Sequence, residues 1–484
     1  MSKFKLFIEN FLVYGLGGII GKLIPLIMIP IITRIMPSTD YFGISDLSNT
    51  VVQFGSYLAI MGMCDGMYRM FFEKSDEEYR RAVCSTTLVF TAIMAVIVFC
   101  IMLLCCNPIA RVFFGNKKYI NVVLLSAIAM LAGSTNSIIA APTRMQNKRK
   151  VFLVTNAIGP LLSYSIALPL LLMGHYVIAL PLAAVFSGLI MEVSFWCINK
   201  SWFDYRKFDK TLLKKMLMIA LPLVPNFLIY WIFNSCDKVM ITNLIGIGAA
   251  GVYSVGSNMG HASQLIYTAF AGGWQYFAFS TMKEENQVKS NSMIFEYLGV
   301  ISFVATGFVC AWSYILFKIL FSAEYLEGYI VAPYLFLAPL LQMLFQVIAN
   351  QFLVVKKTWP NLFILISGAA INVVINYFLI PVWGIEGASI ATLVGYIVSD
   401  IICVIVLCRM QLMVVSKRFG LATIVFLLYM VAWRFLFCDK AILGTFFALV
   451  CATIMFLLYR DDCMNLMKLI KEKKNLKSAI ECNE

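Results

Sequence analysis

The run FLVYGLGGIIGKLIPLIMIPIITRI, from Phe11 to Ile35, is long and apolar enough to cross a lipid bilayer as a helix. Only Lys22 and Arg34 carry charge within it. The apolar core of a secretory signal is shorter, about 7–15 residues, and is followed by a small-residue cleavage site that is missing here. The run therefore predicts a retained first membrane span.

Thirteen further apolar runs follow the first one. They cover about 43–69, 83–106, 120–142, 151–173, 176–198, 215–236, 248–279, 293–317, 330–354, 360–382, 385–408, 419–437 and 441–459. The composition agrees, because 61% of the 484 residues are apolar and only 13% are charged. The sequence predicts an all-α, polytopic membrane protein with about fourteen transmembrane helices. Its loops are too short to hold a soluble catalytic domain.

The basic residues indicate how the chain is oriented. With fourteen spans, 29 of the 38 Lys and Arg residues fall in one alternating set of loops that includes both termini, and eight fall in or beside the other set. The positive-inside rule then predicts both termini in the cytoplasm. The net charge of +13 is explained by this pattern, with attraction to anionic lipids second, so nucleic acid is not expected as a partner.

Metal and disulfide chemistry have little support in the sequence. The 14 cysteines lie mostly inside apolar runs and form no paired CxxC motifs at zinc spacing, and there are only two histidines. A faint phosphate-loop pattern before Lys22 lacks the GxxxxGK spacing and is followed by Leu23 instead of Ser or Thr. We expect no metal site, no cofactor and no catalytic residue.

Two spans share a polar pattern at an offset of 208 residues. Span two reads GISDLSNTVVQFG from Gly43, and span eight reads GVYSVGSNMGHAS from Gly251. Each pattern places polar residues at i, i+3, i+4 and i+7, which is one stripe of a helix. The stripes are Asp46, Asn49, Thr50 and Gln53, and Ser254, Ser257, Asn258 and His261. One stripe alone would suit an ordinary interhelical seam; two matching stripes favour duplicated halves around one cavity.

The repeat predicts the domain organisation. The expected units are an N-terminal lobe of six spans at 1–198, a cytoplasmic linker at 199–214, a C-terminal lobe of six spans at 215–408, two added spans at 409–459 and a cytoplasmic tail at 460–484.

Charged residues inside the spans are candidates for function, because a charge in hydrocarbon costs several kcal/mol. Lys22 lies midway along span one, and a cation in a polar cavity suits an anionic substrate, especially a phosphate. Other cations lie near span ends, where snorkelling to the interface is an equal alternative: Arg34, Arg69, Lys238 and Arg434. For Asp237 and Lys238 a structural ion pair is also open. The acids considered for coupling a proton or sodium ion are Asp46, Asp65 and Asp237.

Three segments resemble a known family. They are DKVMITNLIGIGAAGVYSVG at 237–256, NVVINYFLIPVWGIEGASIAT at 372–392 and ITRIMPSTDYFGISDL at 32–47. They are similar to the polysaccharide transporter family, often called Wzx, of the multidrug/oligosaccharidyl-lipid/polysaccharide exporter superfamily. Span five, NAIGPLLSYSIALPLLLMG, departs from the corresponding signature of span eleven.

The resemblance implies a fold similar to multidrug and toxic-compound extruders (MATE-like), with two six-helix lobes around a cavity lined by spans one, two, seven and eight. It also implies a flippase that moves undecaprenyl-diphosphate-linked oligosaccharide across the bacterial inner membrane, for O-antigen (lipopolysaccharide), capsule or exopolysaccharide assembly. Partners would be that lipid, membrane lipids and polysaccharide polymerase machinery. The expected cavity residues are Lys22, Arg34, Asp46, Asn49, Gln53, Arg69, Lys238, Ser257, Asn258 and His261.

Three alternatives stay open at this stage. A peptidoglycan-precursor flippase would share the anionic lipid head. A MATE-type drug exporter would favour acidic residues in the cavity, and the basic set argues against it. A membrane glycosyltransferase, polymerase or ligase would need a sizeable outer loop, which the spacing of the spans does not provide.

Overall fold

The computed structural model describes the backbone of residues 3–280, 286–355, 357, 359–462 and 464, and their side chains except those of 3–16, 272, 273, 275, 276, 279 and 280. Most of these residues are helical, and none of them forms a strand. Most of the tail expected at 460–484, and part of the loop at 280–291, lie outside the described residues.

Eighteen α-helices follow one another along the described chain. They are α1 (Lys3–Ile35), α2 (Thr39–Ile60), α3 (Met63–Phe71), α4 (Glu77–Leu104), α5 (Cys106–Phe114), α6 (Ile120–Met145), α7 (Arg149–Leu172), α8 (Ala179–Asn199), α9 (Lys210–Ala220), α10 (Val224–Trp231), α11 (Asp237–Leu244), α12 (Ile247–Gly260), α13 (Gln264–Ser280), α14 (Gln287–Leu320), α15 (Gly328–Val354), α16 (Trp359–Arg409), α17 (Lys417–Ala432) and α18 (Ala441–Leu458). Two π-helical segments, Ile232–Cys236 and Trp433–Phe437, follow α10 and α17.

The predicted number of membrane crossings can be compared with these helices. Eleven helical stretches among the described residues are long and apolar enough to cross a membrane. One of them, α16, is two helices that meet at Gly384, where φ is +58°. The two spans with polar stripes are each divided into two consecutive helices, α2–α3 and α12–α13. Neither span is among the eleven helical stretches. Counting these gives about fourteen crossings and confirms the predicted all-α polytopic class.

The break between α2 and α3 depends on glycine. Gly62 has a φ of +72°, a conformation that residues with a Cβ rarely adopt. A Cβ at this position would also lie 2.8 Å from the carbonyl oxygen of Ala220. Gly62 therefore lets α3 begin in direct contact with the end of α9.

The first half of the chain forms one bundle. Helix α1 packs on α7, α7 on α8, α8 on α6, and α6 on both α2 and α4. Buried apolar side chains such as Leu47, Val123 and Met130 fill the space between α2, α4 and α6. Burial of this kind fixes the positions of the polar side chains on the same helices.

The second half is organised around α15. This helix packs on α12, α14 and α16, and most of its side chains are buried. The added helices α17 and α18 pack on α14. The arrangement confirms two helical lobes with two extra helices. The residue boundaries predicted for the lobes, the linker and the tail stay predictions.

The two halves meet along α2 and α12, with further contacts of α1 with α13 and of α3 with α9. Helix α9 therefore packs on the first half although it begins the second half of the chain.

A buried carboxylate attaches the added helices to the second lobe. Glu296 of α14 accepts hydrogen bonds from the Ser416 backbone N (2.7 Å), the Ser416 hydroxyl (2.7 Å) and the Tyr459 hydroxyl (3.0 Å). Arg418 lies over the Tyr459 ring at 4.6 Å and pairs with Asp462 at 2.7 Å. Both ends of the α17–α18 hairpin are thus held by one side chain.

Replacing this carboxylate should loosen the hairpin. We expect Glu296→Gln to destabilise the protein by about 2 kcal/mol, because an amide accepts fewer and weaker hydrogen bonds than a carboxylate. The measurement is the apparent melting temperature of purified protein in detergent. Glu324→Gln is the matched control, since Glu324 is exposed and the charge change is the same. Equal melting temperatures for the two variants would show that Glu296 does not hold the hairpin.

Candidate functional site

A cavity of 750 Å³ lies among α1, α3, α6, α7 and α8. Its lining combines cations, one carboxylate, amides and hydroxyls: Lys22, Arg144, Asp65, Asn136, Asn156, Ser137, Thr143, Thr155 and Tyr68. Polar side chains on membrane-spanning helices face a bundle interior or a water-filled cavity, because unsatisfied polar groups are costly in lipid. This cavity is therefore suited to a polar ligand.

Two cations face this cavity from separate helices. Lys22 lies on α1 with an exposed side chain, and Arg144 lies in the last turn of α6, with its guanidinium 5.2 Å from the Phe152 ring centre. Neither cation forms an ion pair with any described residue. Asp65 is the one carboxylate that the described residues contribute to the lining, so these residues together carry a positive charge there. Such a site can bind an anion bearing several oxygens.

A second cavity of 440 Å³ continues from the first, since Asn136, Gly159 and Met191 line both. The residues at its other end include Asp46 and Asn49 of α2 and Asn258 of α12. The structure therefore brings part of each predicted polar stripe to one interior space.

The two stripes also touch each other directly. Ser254 of α12 donates a hydrogen bond to Asp46 of α2 at 2.7 Å, and these residues are 208 positions apart. Gly43 and Gly251, also 208 apart, lie where the two helices cross, and a Cβ on either would overlap the backbone of the other helix. Repeat-equivalent residues can meet in this way only near the axis that relates the two halves.

Lys238 closes this crossing. Its Nζ lies 2.6 Å from the Asp46 carboxylate, and both side chains are largely buried. The pair joins α11 of the second half to α2 of the first half. Separation of the two halves at this level requires the pair to break.

The remaining stripe residues have different surroundings. Ser257 is buried and lies 3.2 Å from Nδ1 of His261, where a 3-10 turn interrupts the span. Gln53 is exposed on α2, and Thr50 is buried with its hydroxyl bonded to the Asp46 carbonyl. The stripes are therefore partly cavity wall and partly contact between the lobes.

Arg34 and Arg69 are not among the residues that line these two cavities. Arg34 donates a hydrogen bond to the Ile319 carbonyl near the end of α14. Arg69 is exposed in the last turn of α3. The structure thus brings Lys22 and Asp65 to one cavity, and Asp46 and Lys238 to the crossing of the lobes.

Asp237 lies in a separate buried network of the second half. Its carboxylate accepts hydrogen bonds from the Tyr253 hydroxyl (2.5 Å), the Asn376 amide (2.7 Å) and the Thr392 hydroxyl. Asn372 in turn donates to the Thr392 hydroxyl at 3.0 Å. These residues connect α11 and α12 to both parts of α16.

Two acceptors in this network have no hydrogen-bond partner among the residues that the structure describes. They are the Oδ1 atoms of Asn372 and Asn376, and both are buried. Buried polar atoms usually have a hydrogen-bond partner, so both oxygens remain able to accept a donor or a cation. One carboxylate and two amide oxygens are the kind of ligands that a hard cation prefers.

Sequence reasoning missed Arg144, Asn136 and Asn156 as cavity residues. Arg144 belongs to the basic loop region at 143–150, which was interpreted only as a sign of orientation. The two asparagines lie in apolar runs of α6 and α7. They were the only sequence signal of this cavity, since an amide in a membrane span needs a polar neighbour.

A family described as "Polysaccharide biosynthesis protein" matches residues 31–330, which is more than half of the chain. The chain belongs to this family. The matched region includes the cavity residues of α3, α6, α7 and α8, and the crossing of α2 and α12. A search among curated proteins found no match.

Solved transporter structures share the fold of this chain. The lipid II flippase MurJ in an inward closed conformation is 15% identical, with a TM-score of 0.66, and the match covers 94% of this chain and 99% of MurJ. A multidrug resistance MATE family transporter of the MOP superfamily in an inward-facing conformation is 14% identical, with a TM-score of 0.57, over 81% of this chain and 98% of that chain. The outward-facing form of a MATE transporter gives 17% identity and a TM-score of 0.56, over 84% and 95%. These likenesses confirm the predicted MATE-like architecture.

Proposed function

We propose that this protein is a flippase for lipid-linked oligosaccharides whose lipid carries a diphosphate, such as undecaprenyl-diphosphate-linked repeat units. The observation that carries the proposal is the polar cavity with two cations, Lys22 and Arg144, that form no ion pair with a described residue. This cavity lies inside a membrane protein of a polysaccharide biosynthesis family. A diphosphate offers several charged oxygens to two such cations. The proposal sets the protein in the bacterial inner membrane, with both termini in the cytoplasm and polysaccharide polymerase machinery downstream.

The geometry suggests how a lipid-linked glycan would be moved. The diphosphate would bind between Lys22 and Arg144, and the sugars would occupy the polar space that continues toward Asn49 and Asn258. The polyprenyl chain would stay in lipid, where its apolar surface costs nothing to solvate. Separation of α2 from α12, with loss of the Asp46–Lys238 pair, would open the other side of the cavity.

Asp237 is the acid that we propose for ion coupling. The unpaired Asn372 and Asn376 oxygens beside it would complete the coordination of a sodium ion, or the carboxylate would take up a proton. Asp46 and Asp65 were considered with it. Asp46 is neutralised by Lys238, and Asp65 faces the cavity, where its charge moderates that of the two cations.

The experiment is flipping in proteoliposomes. Purified protein is reconstituted with a labelled undecaprenyl-diphosphate oligosaccharide, and its transbilayer movement is followed by exposure to an external glycan-modifying enzyme. A phosphate-free analogue tests the part played by the diphosphate, and lipid II in a parallel reaction tests the glycan. Movement of no substrate by folded protein, with or without an ion gradient, would contradict the proposal.

The two cations give a specific prediction within this assay. We expect Lys22→Met and Arg144→Met each to lower the flipping rate about tenfold or more, because a charge-assisted hydrogen bond contributes about 1.5–3 kcal/mol. Lys117→Met is the matched control, since Lys117 is exposed and lines neither cavity. If both cavity variants flip the substrate at the rate of the control, Lys22 and Arg144 do not bind the diphosphate.

A further inference from the structure

Helix α9 has two unlike faces. Leu212, Met216 and Ala220, spaced four residues apart, are buried and pack in the apolar cluster beside α3. The opposite face leaves Met218 61% exposed, and Leu221, which directly follows the helix, is 45% exposed. Because α9 leads into a membrane-spanning stretch, Lys210–Leu244, this outer face passes from the membrane surface into lipid.

A groove of 710 Å³ runs along the outer face. Lys210 and Lys214 line the end where the helix begins, and Leu217, Met218 and Leu221 line the rest. The rise of about 1.5 Å per residue sets Leu221 about 10 Å beyond Lys214 along the axis. The groove therefore has a cationic end and an apolar track, in the order in which a membrane surface and its hydrocarbon follow one another.

The two lysines of the groove are free to bind an anion. They lie one turn apart, both are exposed, and neither pairs with an acid among the described residues. The nearest acid in sequence, Asp209, caps α9 by accepting hydrogen bonds from the Thr211 and Leu212 backbone N atoms at 2.6 and 3.3 Å. The adjacent Lys207, in contrast, is held by Glu78 at 2.9 Å.

We propose that this groove is a binding site for an anionic phospholipid. The phosphate would lie between Lys210 and Lys214, and an acyl chain would follow Leu217, Met218 and Leu221. Charge complementarity selects an anionic headgroup, and the apolar track selects a lipid over a soluble phosphate. The site is separate from the cavity of Lys22 and Arg144, and the proposal does not depend on the flippase function.

Native mass spectrometry of the full chain with defined lipids tests the site. We expect phosphatidylglycerol to bind wild-type protein more tightly than phosphatidylcholine. We expect K210Q/K214Q to weaken phosphatidylglycerol binding about thirtyfold, since each of the two surface lysines contributes about 1 kcal/mol. K117Q/K118Q removes the same charge from another exposed part of the protein and should bind phosphatidylglycerol as wild type does.

A second variant tests the apolar track. Met218→Gln keeps both lysines and should weaken phosphatidylglycerol binding. Added glycerophosphate, which has no acyl chain, should compete only weakly with phosphatidylglycerol in wild type and in this variant. Equal loss of binding in K117Q/K118Q, or equal binding of the two lipids by wild type, would overturn the proposal. Strong competition by glycerophosphate would show that the ligand of the groove is a soluble phosphate and not a lipid. If wild type is a dimer and K210Q/K214Q is a monomer with unchanged lipid binding, the groove would be a contact with a second copy of the chain.

Discussion

Alanine at Gly251 is expected to disrupt the contact between the two halves and to reduce flipping about tenfold or more. The added Cβ would overlap the carbonyl oxygen of Thr39, and a backbone oxygen cannot rotate out of the way as a flexible side chain can. Overpacking of this kind typically costs about 1–3 kcal/mol. The cost falls on the closed crossing of α2 and α12, which the proposed cycle has to restore in every turnover.

Gly133→Ala is the matched control for this variant. Gly133 also lies inside a helix, α6, but nothing lies within 4 Å of a Cβ at that position. Alanine there should be neutral or stabilising by up to about 1 kcal/mol, because it has the higher helix propensity. Gly251→Ala should therefore lower the apparent melting temperature, and Gly133→Ala should leave it unchanged or raise it. Equal shifts, with flipping intact in Gly251→Ala, would show that the crossing is loose.

The sequence identified the two helices of this crossing as equivalent, but it predicted a shared cavity and not a contact between them. The matching stripes of span two and span eight already paired Gly43 with Gly251 and Asp46 with Ser254. The period of polar residues shows which face of a helix is polar, and the offset shows that two helices are equivalent. The pattern does not show that equivalent residues touch, since that depends on their distance from the symmetry axis.

Lys238 shows where local sequence reasoning stops. The sequence left open an ion pair between Lys238 and its neighbour Asp237. Adjacent residues on a helix, however, point about 100° apart. Asp237 faces Asn376 and Thr392 of α16, and Lys238 faces Asp46 of α2. The partner of each side chain is therefore set by which helix packs on that face, and helix packing is not contained in the local pattern.

The common cavity of Lys22 and Arg144 could not be predicted from the sequence for the same reason, because it depends on helix packing. The two residues are 122 positions apart and share no motif, and Arg144 lies in a loop region whose positive charge is fully explained by orientation. Only the packing of α1 and α6 around α7 and α8 brings them to one cavity. Hydropathy predicted nearly the whole helical framework, because span length and polarity are local properties.

Asp237→Ala is expected to give the largest loss of stability among single substitutions in the second half. It would leave the Tyr253 and Thr392 hydroxyls and the Asn376 amide buried without their acceptor. Each buried donor left without its acceptor costs about 1–3 kcal/mol, because the loss of its contact with water is no longer offset. The measurement is again the apparent melting temperature, together with the yield of folded protein. Asp461→Ala, at an exposed position, is the control.

Asp237→Asn separates the structural part of this residue from the proposed ion coupling. The amide has the same size and still accepts hydrogen bonds through one oxygen, so we expect a smaller loss of stability than in Asp237→Ala. A cation that binds only the folded protein raises its melting temperature. If sodium binds at Asp237, Asn372 and Asn376, sodium should stabilise wild type relative to potassium and should not stabilise Asp237→Asn. Flipping driven by a proton gradient in wild type, and lost in Asp237→Asn, would indicate a proton instead. Wild type that responds to neither ion, with Asp237→Asn flipping normally, would make Asp237 a purely structural acceptor, and the coupling role would then pass to Asp46 or Asp65.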